Sequence, residues 1–430
     1  MKNKFSKAIK LWQDNRLYSI LMVMATALII TFCMVLYMVF VLQNGDNGAE
    51  SHRSRVLYSD QGYSYNVEKN SDYGRGMSSM VAKELFGDMK GVEEVSLATS
   101  YFTADDYFVG TSEENSTNRK VRFVDDAFFR IYKFDFIEGA PFTKEQSDAA
   151  RNEIIITDKL AKTIFGTTDV LNKTLLIRFR DYRIVGVVKS VSSLYTHAHS
   201  DVWATFNPED YNWRGDAGEL RGAIRVAVLL EKGTSKNQVR EELAKRLEFL
   251  NTKIKPYTFD LNVKSVDEQL VVSQDSENWK AYSFNTISTG KLLIILGLII
   301  LFIPTINMAG IIASQVSKRA GEIGVRKAYG ATDRKVLWLF FRENLFLTIV
   351  GGILGLILSI LALLLFKQTF VGGTTTLATG DDFVLPWNVL LSPSVFLILL
   401  LFCFIVNSLA TITPVWMALR KSITNTLKSA

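Results

Sequence analysis

Cysteine is nearly absent from this chain: Cys33 and Cys403 are the two in 430 residues, and both fall inside long apolar runs. The polar part of the chain therefore has no disulfide framework and must be held by its own core, which about 240 residues are enough to build. The phosphate-cradling G-x-x-x-x-G-K-[ST] pattern does not occur, nor do H-E-x-x-H, G-x-S-x-G or C-x-x-C. Catalysis by this chain itself is not expected. Histidine is also scarce, but His197, His199 and Asp201 form an H-x-H-x-D string. No third strong ligand stands beside them, so the string reads as a polar surface strand and no metal is expected. Repeats and low-complexity tracts are missing as well.

What the chain has is apolar sequence in four blocks. Leu17–Gly45, Leu292–Ser317, Asn344–Phe366 and Phe383–Leu419 carry no charge. Crossing ~30 Å of hydrocarbon takes roughly 20 apolar residues in a helix, and every block reaches that length. The fold class expected is an integral membrane α-helical protein, with four transmembrane helices and a large mixed α/β periplasmic domain. The segments are 1–16 (cytoplasmic), 17–43 (first span), 44–285 (periplasmic domain) and 286–314 (second span). They continue as 315–335 (cytoplasmic helix), 336–366 (third span), 367–393 (short periplasmic loop), 394–418 (fourth span) and 419–430 (cytoplasmic tail). The first block is longer than a signal-peptide core and no convincing small-x-small site follows it, so it reads as a retained anchor.

The basic residues set the orientation. Lys2, Lys4, Lys7, Lys10 and Arg16 precede the first span, opposed by Asp14 alone. Lys318, Arg319, Arg326, Lys327, Arg334, Lys335 and Arg342 lie between the second and third, and Arg420, Lys421 and Lys428 follow the fourth. The connection between the last two spans has Asp381 and Asp382. The positive-inside rule puts both termini and the middle loop in the cytoplasm of a bacterial inner membrane. The formal net charge of +6 is then a topology signal, and no nucleic-acid partner is expected.

Within 44–285, Glu153–Thr157 reads as a buried strand. Asp158 is placed to cap a short helix that Gly166 ends. Thr174–Phe179 and Tyr182–Val188 read as strands joined by a turn at Arg180-Asp181, and Gly222–Leu230 as a further strand. Ser235–Leu250 is a helix with a capping serine. Strands alternating with helices predict a mixed α/β domain in two lobes. In the spans, Gly351 and Gly355 form a small-xxx-small pair suited to close helix packing, and Pro304 interrupts the second block.

The middle loop carries the most information. Glu322 and Arg326 stand four apart with the acid first, Gly330 is a natural helix stop, and Thr332 or Asp333 can start the next helix. The string Arg319-x-x-Glu322-Ile323-Gly324-Val325-Arg326-Lys327-Ala328-x-Gly330-Ala331 resembles the coupling segment of the MacB/FtsX family of ABC transporter permeases. Val124–Gly139, Ile154–Gly166 and Tyr182–Val187 resemble the family's periplasmic core domain, without the fused ATPase of MacB. Pro414-Val-Trp-Met-Ala-Leu-Arg420 resembles the end of its last span. Gly321 departs from the family's usual polar residue there, and 192–279 shows no motif.

The resemblance implies a permease subunit that couples ATP hydrolysis on separate chains to movement of the periplasmic domain. That movement would drive export or extraction of a periplasmic or membrane substrate. It implies a cytoplasmic ABC ATPase dimer as partner, with ATP and Mg bound there and no cofactor on this chain. A second permease copy, identical or different, is implied too, and a periplasmic adaptor and outer-membrane channel are possible additions. Arg319, Glu322, Ile323, Gly324, Arg326, Lys327 and Gly330 are the implied coupling residues. The alternative is an FtsX-like signalling protein that regulates a periplasmic partner, such as a cell-wall hydrolase, without transport.

Overall fold

The computed structural model describes residues 16–99, 106–193, 195–212, 219–265, 295, 299, 314, 320–366 and 392–420. It divides into two units. One comprises 1–41, 290–376 and 387–430, and the other 42–289 and 377–386.

The chain opens with helix α1 (Arg16–Asn44), then β1 (Val56–Asn66), β2 (Ser71–Arg75), α2 (Ser79–Phe86), β3 (Val92–Thr99), β4 (Asp106–Gly110) and β5 (Ser116–Val124). Next come α3 (Phe128–Ile131), β6 (Phe136–Gly139), α4 (Lys144–Asp148), β7 (Glu153–Thr157), α5 (Asp158–Phe165), β8 (Thr174–Ile177) and β9 (Arg180–Val188). β10 (Val202–Thr205), β11 (Ile224–Leu230), α6 (Lys236–Lys253) and β12 (Tyr257–Lys264) complete the α/β unit. The helices α7 (Ala320–Ala328), α8 (Asp333–Leu365) and α9 (Pro393–Arg420) follow.

The α/β unit is mixed α/β and its strands form one hydrogen-bonded network in two parts. The path β10-β7-β9-β8-β4-β5 returns to β10 through the parallel β10–β5 pair, so these six strands close a ring. β5 continues past the ring and meets β3 at Ala98↔Val124. From there β3, β11, β1 and β12 run antiparallel, with β2 on β1. α2 and α6 pack together on this second part. Ile154, Ile155 and Ile156 of β7 are buried as an apolar run covered on both faces, and the whole of β11 is buried too, Arg225 included. The region 192–279, which offers no motif, supplies β10, β11, α6 and β12, so its sequence encodes core packing.

Local details refine the sequence reading. The cap of α5 is Thr157, whose hydroxyl accepts the Leu160 N–H at 3.3 Å; Asp158 is the first helical residue. Asp158 instead accepts the Ser190 N–H at 2.9 Å and hydroxyl at 2.7 Å. Gly166 ends the helix at φ +75°. The β8–β9 turn is Arg178-Phe179, both at positive φ (51° and 63°), with Ile177 paired to Arg180. Two-residue hairpins require that mirror-image turn to match strand twist, and here no glycine advertises it. α6 is capped by Ser235 in a capping box with Gln238.

His197, His199 and Asp201 are not on a surface strand. Thr196–Ala198 is a turn, His197 is buried, and its ring stacks on Tyr58 at 3.7 Å. His199 Nδ1 lies 2.8 Å from the Val191 carbonyl, and Asp201 accepts the Lys120 N–H at 3.1 Å. Burial pushes the His199 imidazole below its ordinary value. Among the described residues no group of three His, Cys, Asp or Glu could hold a metal.

Among the described residues three helices, not four, are long and apolar enough to span a membrane: Ser19–Leu42, Asp333–Leu365 and Pro393–Ile412. The second apolar block, with Pro304, lies outside the described residues except for Ile295, Ile299 and Ser314. Leu17, Leu28, Ile353, Ile357, Ile398 and Leu409 are among the exposed apolar side chains of α1, α8 and α9, a surface that suits lipid and not water.

Candidate coupling site

α7 is a short helix set between two apolar segments, and its sequence dictates its stop. The N–H of Ala331 bonds the Arg326 carbonyl at 3.0 Å, and that of Gly330 bonds the Lys327 carbonyl at 2.9 Å. These are the two bonds of a Schellman termination, which needs a left-handed residue after the last helical one. Gly330 supplies it at φ +83°. A Cβ there would meet nothing within 4 Å, so glycine is required by conformation and not by space. α8 then starts at Asp333 with Thr332 as its cap residue, although the Thr332 side chain makes no capping bond.

Two residues fasten α7 to its neighbours. Ile323 is 3% exposed and packs in a cluster with Met22 of α1, Val336 and Phe340 of α8, and Val415 and Leu419 of α9. Lys327 Nζ donates to the Leu419 carbonyl at 2.9 Å and pairs with Asp333 Oδ1 at 2.9 Å. An ammonium at the last turn of α9 meets carbonyls that have no partner within the helix. Lys327 is thus a three-helix tie, a role its place in the string does not disclose. Gly324 is buried as well.

The opposite face is open. Val325 is 45% and Tyr329 89% exposed, and Arg326 is exposed between them. Sequence reading passes over Tyr329, which falls at an unassigned position of the motif. The signal was available: an aromatic residue three after a basic one, beside a glycine stop, lands on the same outward face. Arg319 lies outside the described residues, and so does the side chain of Glu322.

Behind the site, α8 runs close to α1. A Cβ on Gly351 would lie 2.9 Å from both Thr26 Cβ and the Val23 carbonyl, and one on Gly355 2.7 Å from the Ala27 carbonyl. Thr31 Oγ1 donates to the Gly355 carbonyl at 3.1 Å, closing the same contact. Gly352 faces α9, where a Cβ would meet Leu400 Cδ1 at 2.2 Å. Asn344 and Ser408, and Thr348 and Asn407, are paired at 3.4 Å between α8 and α9. Small residues and interhelical polar pairs are what hold helices together where no hydrophobic drive exists. A cavity of about 720 Å³ opens between the same two helices, lined by Trp338, Phe341, Asn344 and Ser408 among others.

Helices long and apolar enough to span a membrane, a short glycine-stopped helix and a large α/β domain define a membrane-embedded subunit with an attached domain. Two family models match in succession: the MacB-like periplasmic core domain over residues 19–246 and the FtsX-like permease C-terminal region over 294–423. The first alone covers more than half the chain, and the protein belongs to the MacB/FtsX family of ABC transporter permeases.

Similar proteins include the macrolide export ATP-binding/permease protein MacB of Sodalis glossinidius, 24% identical over 57% of this chain and 35% of that protein. The uncharacterized ABC transporter permease YknZ of Bacillus subtilis is 23% identical over 62% of each chain. Alignments to these relatives therefore span about a third to three-fifths of their length. A solved periplasmic region of MacB from Actinobacillus actinomycetemcomitans aligns over 54% of this chain and 98% of its own, at 14% identity and a TM-score of 0.37.

Proposed function

We propose that this chain is the permease subunit of a mechanically coupled ABC transporter, driven by an ATPase carried on separate chains. α7 is the contact through which nucleotide-driven closure enters the membrane. The observation that carries this reading is the two-sided construction of α7. Ile323 and Lys327 tie it into α1, α8 and α9, while Val325, Arg326 and Tyr329 face outward. An exposed aromatic beside an arginine is the composition of an interface anchor. A push on that face is delivered to three helices at once. In this reading both termini and α7 are cytoplasmic, the α/β domain is periplasmic, and two permease copies meet two ATPases.

The test is purification from the native membrane in mild detergent. One cytoplasmic ATPase that travels with the protein, and is lost on Arg326→Ala with Tyr329→Ala, supports coupling through α7. Recovery of folded protein with no ATPase removes that reading. A periplasmic hydrolase recovered together with the ATPase, and no substrate moved by the reconstituted complex, would favour signalling over transport.

A further inference from the structure

Between the end of α1 and the start of β1 lies Gly45–Arg55, a segment held along its whole length. The Asp46 carboxylate accepts the Ser54 N–H at 2.7 Å and its hydroxyl at 2.6 Å. The Ala49 carbonyl accepts the Lys133 N–H at 2.9 Å, and His52 Nδ1 lies 3.2 Å from the Ile131 carbonyl. Gly48 sits at φ +48° with the Tyr195 hydroxyl 2.3 Å from where a Cβ would be, so no other residue fits.

At the centre are two charges shut away from solvent. The Glu50 and Arg53 side chains are 0% and 2% exposed, with Nε 2.5 Å from Oε2. Arg53 also donates to the carbonyl of Leu42 at 2.8 Å, in the last turn of α1. That carbonyl has no partner within the helix, and a cation beside it answers the negative end of the helix dipole. Glu50 Oε1 accepts the N–H groups of His197 at 2.8 Å and Ala198 at 3.1 Å.

The 195–198 turn so gripped is itself a hub. The His197 carbonyl accepts from Arg122 of β5 and, at 3.2 Å, from Arg225 of β11. The Ala198 carbonyl accepts Trp203 Nε1 of β10 at 3.1 Å. β5 and β10 belong to the closed ring, and β11 to the second sheet. One carboxylate therefore connects the end of a membrane helix to both parts of the α/β unit through hydrogen bonds alone. Buried ion pairs are weak evidence of stabilisation, since apolar residues of like volume often do as well, and their best-attested use is to specify register or a switch.

We infer that the Glu50–Arg53 pair is the joint through which displacement of α1 is passed into both parts of the α/β domain. Glu50 and Arg53 are positioning residues. Arg53 grips the helix end and Glu50 grips the 195–198 turn. This rests on the coupling reading of α7, and the experiment separates the two. Backbone hydrogen exchange is followed on the purified permease–ATPase complex in lipid nanodiscs, without nucleotide and with ATP trapped by vanadate. The proteins are wild type, Glu50→Gln and Arg53→Lys. Arg53 holds its two partners through separate nitrogens, Nε on Glu50 and a terminal nitrogen on the Leu42 carbonyl; lysine keeps the charge but loses that rigid fork.

The expected result is a nucleotide-dependent change in wild type that reaches β5, β10 and β11. In both variants it is lost beyond residue 44, while nucleotide-free exchange of those strands and ATP turnover persist. Transmission equal to wild type in either folded variant overturns the joint. So does a general rise in nucleotide-free exchange across the strands in both variants, which is the mark of a merely structural pair. A wild-type complex with no nucleotide response beyond α7 overturns the coupling reading itself, and the joint with it.

Discussion

Asp125 lies where β5 gives way to α3, and its carboxylate is turned inward. It accepts the Leu97 N–H at 2.7 Å, the Ser96 hydroxyl at 2.7 Å and the Phe128 N–H at 3.0 Å. Burial outweighs these bonds, Asp126 adds repulsion, and the carboxyl rises to about 7 from an ordinary 3.8. Between those values the folded chain keeps a proton that the unfolded chain releases. The group's contribution is full below pH 4 and is lost as pH rises through 7. Asp125→Asn, neutral throughout, should flatten the fall in thermal midpoint between pH 4 and 7; an unchanged slope would refute the assignment. Gly330 offers a cleaner case, because space plays no part. Gly330→Ala should cost about 1 kcal/mol through the left-handed backbone alone. Gly330→Asn should cost less, and equal melting temperatures for both variants would contradict this.

At the scale of elements, the contact of α8 with α1 is set by missing side chains. Gly351→Val places a methine 2.9 Å from Thr26 Cβ and 2.9 Å from the Val23 carbonyl, of which the second is backbone and cannot yield. The helices must separate, at a cost of about 1–3 kcal/mol, whereas Ile353→Val on the exposed face should be near neutral. Thermal unfolding in detergent, read beside cross-linking yield between α1 and α8, distinguishes the two. A Gly351→Val protein as stable as the Ile353→Val control would show that the close approach is not needed. The tie at Lys327 belongs to this scale too. Asp333 is 59% exposed, so most of the effect of Lys327→Met should come from the lost Leu419 carbonyl bond, about 1 kcal/mol. Lys327→Met should therefore destabilise more than Asp333→Asn, and the reverse order would sink the argument.

For the molecule as a whole, stability and coupling should separate. Tyr329 is 89% exposed on the outward face of α7, so Tyr329→Ala should leave the melting temperature nearly unchanged. With α7 as the ATPase contact proposed above, loss of that anchor at about 2 kcal/mol should weaken ATPase binding by roughly thirtyfold. Ile323→Ala should do the converse, lowering stability by about 2–4 kcal/mol because its side chain is enclosed by three helices. Titration of the ATPase onto nanodisc-held permease, run beside a thermal scan of each variant, measures both quantities. Parallel losses in the two assays would mean that α7 has no division between an anchoring and a contacting face.

Much of the plan is local and so is legible in the chain by itself. Apolar length, the strand of isoleucines at 154–156, the serine cap of α6 and the glycine stop of α7 depend on neighbours within a turn or two. The resemblance of 319–331 named the family because its spacing repeats such local signals. Contacts between distant residues are a different matter. The Arg178-Phe179 turn is imposed by strand register, and no residue type announces it. His197 and His199 looked like surface because alternation cannot report that a turn is enclosed by strands from both parts of the domain. Tyr329 as a candidate contact, Lys327 as a tie and Glu50 with Arg53 at the foot of α1 all depend on what lies opposite them in space. Sequence by itself determined that this chain has membrane-spanning segments and a separate α/β domain, since hydrophobic length and short-range capping are properties of single segments. Only the tertiary structure decided which charged residues face outward and which are buried, because a charge acquires its role from partners far away along the chain.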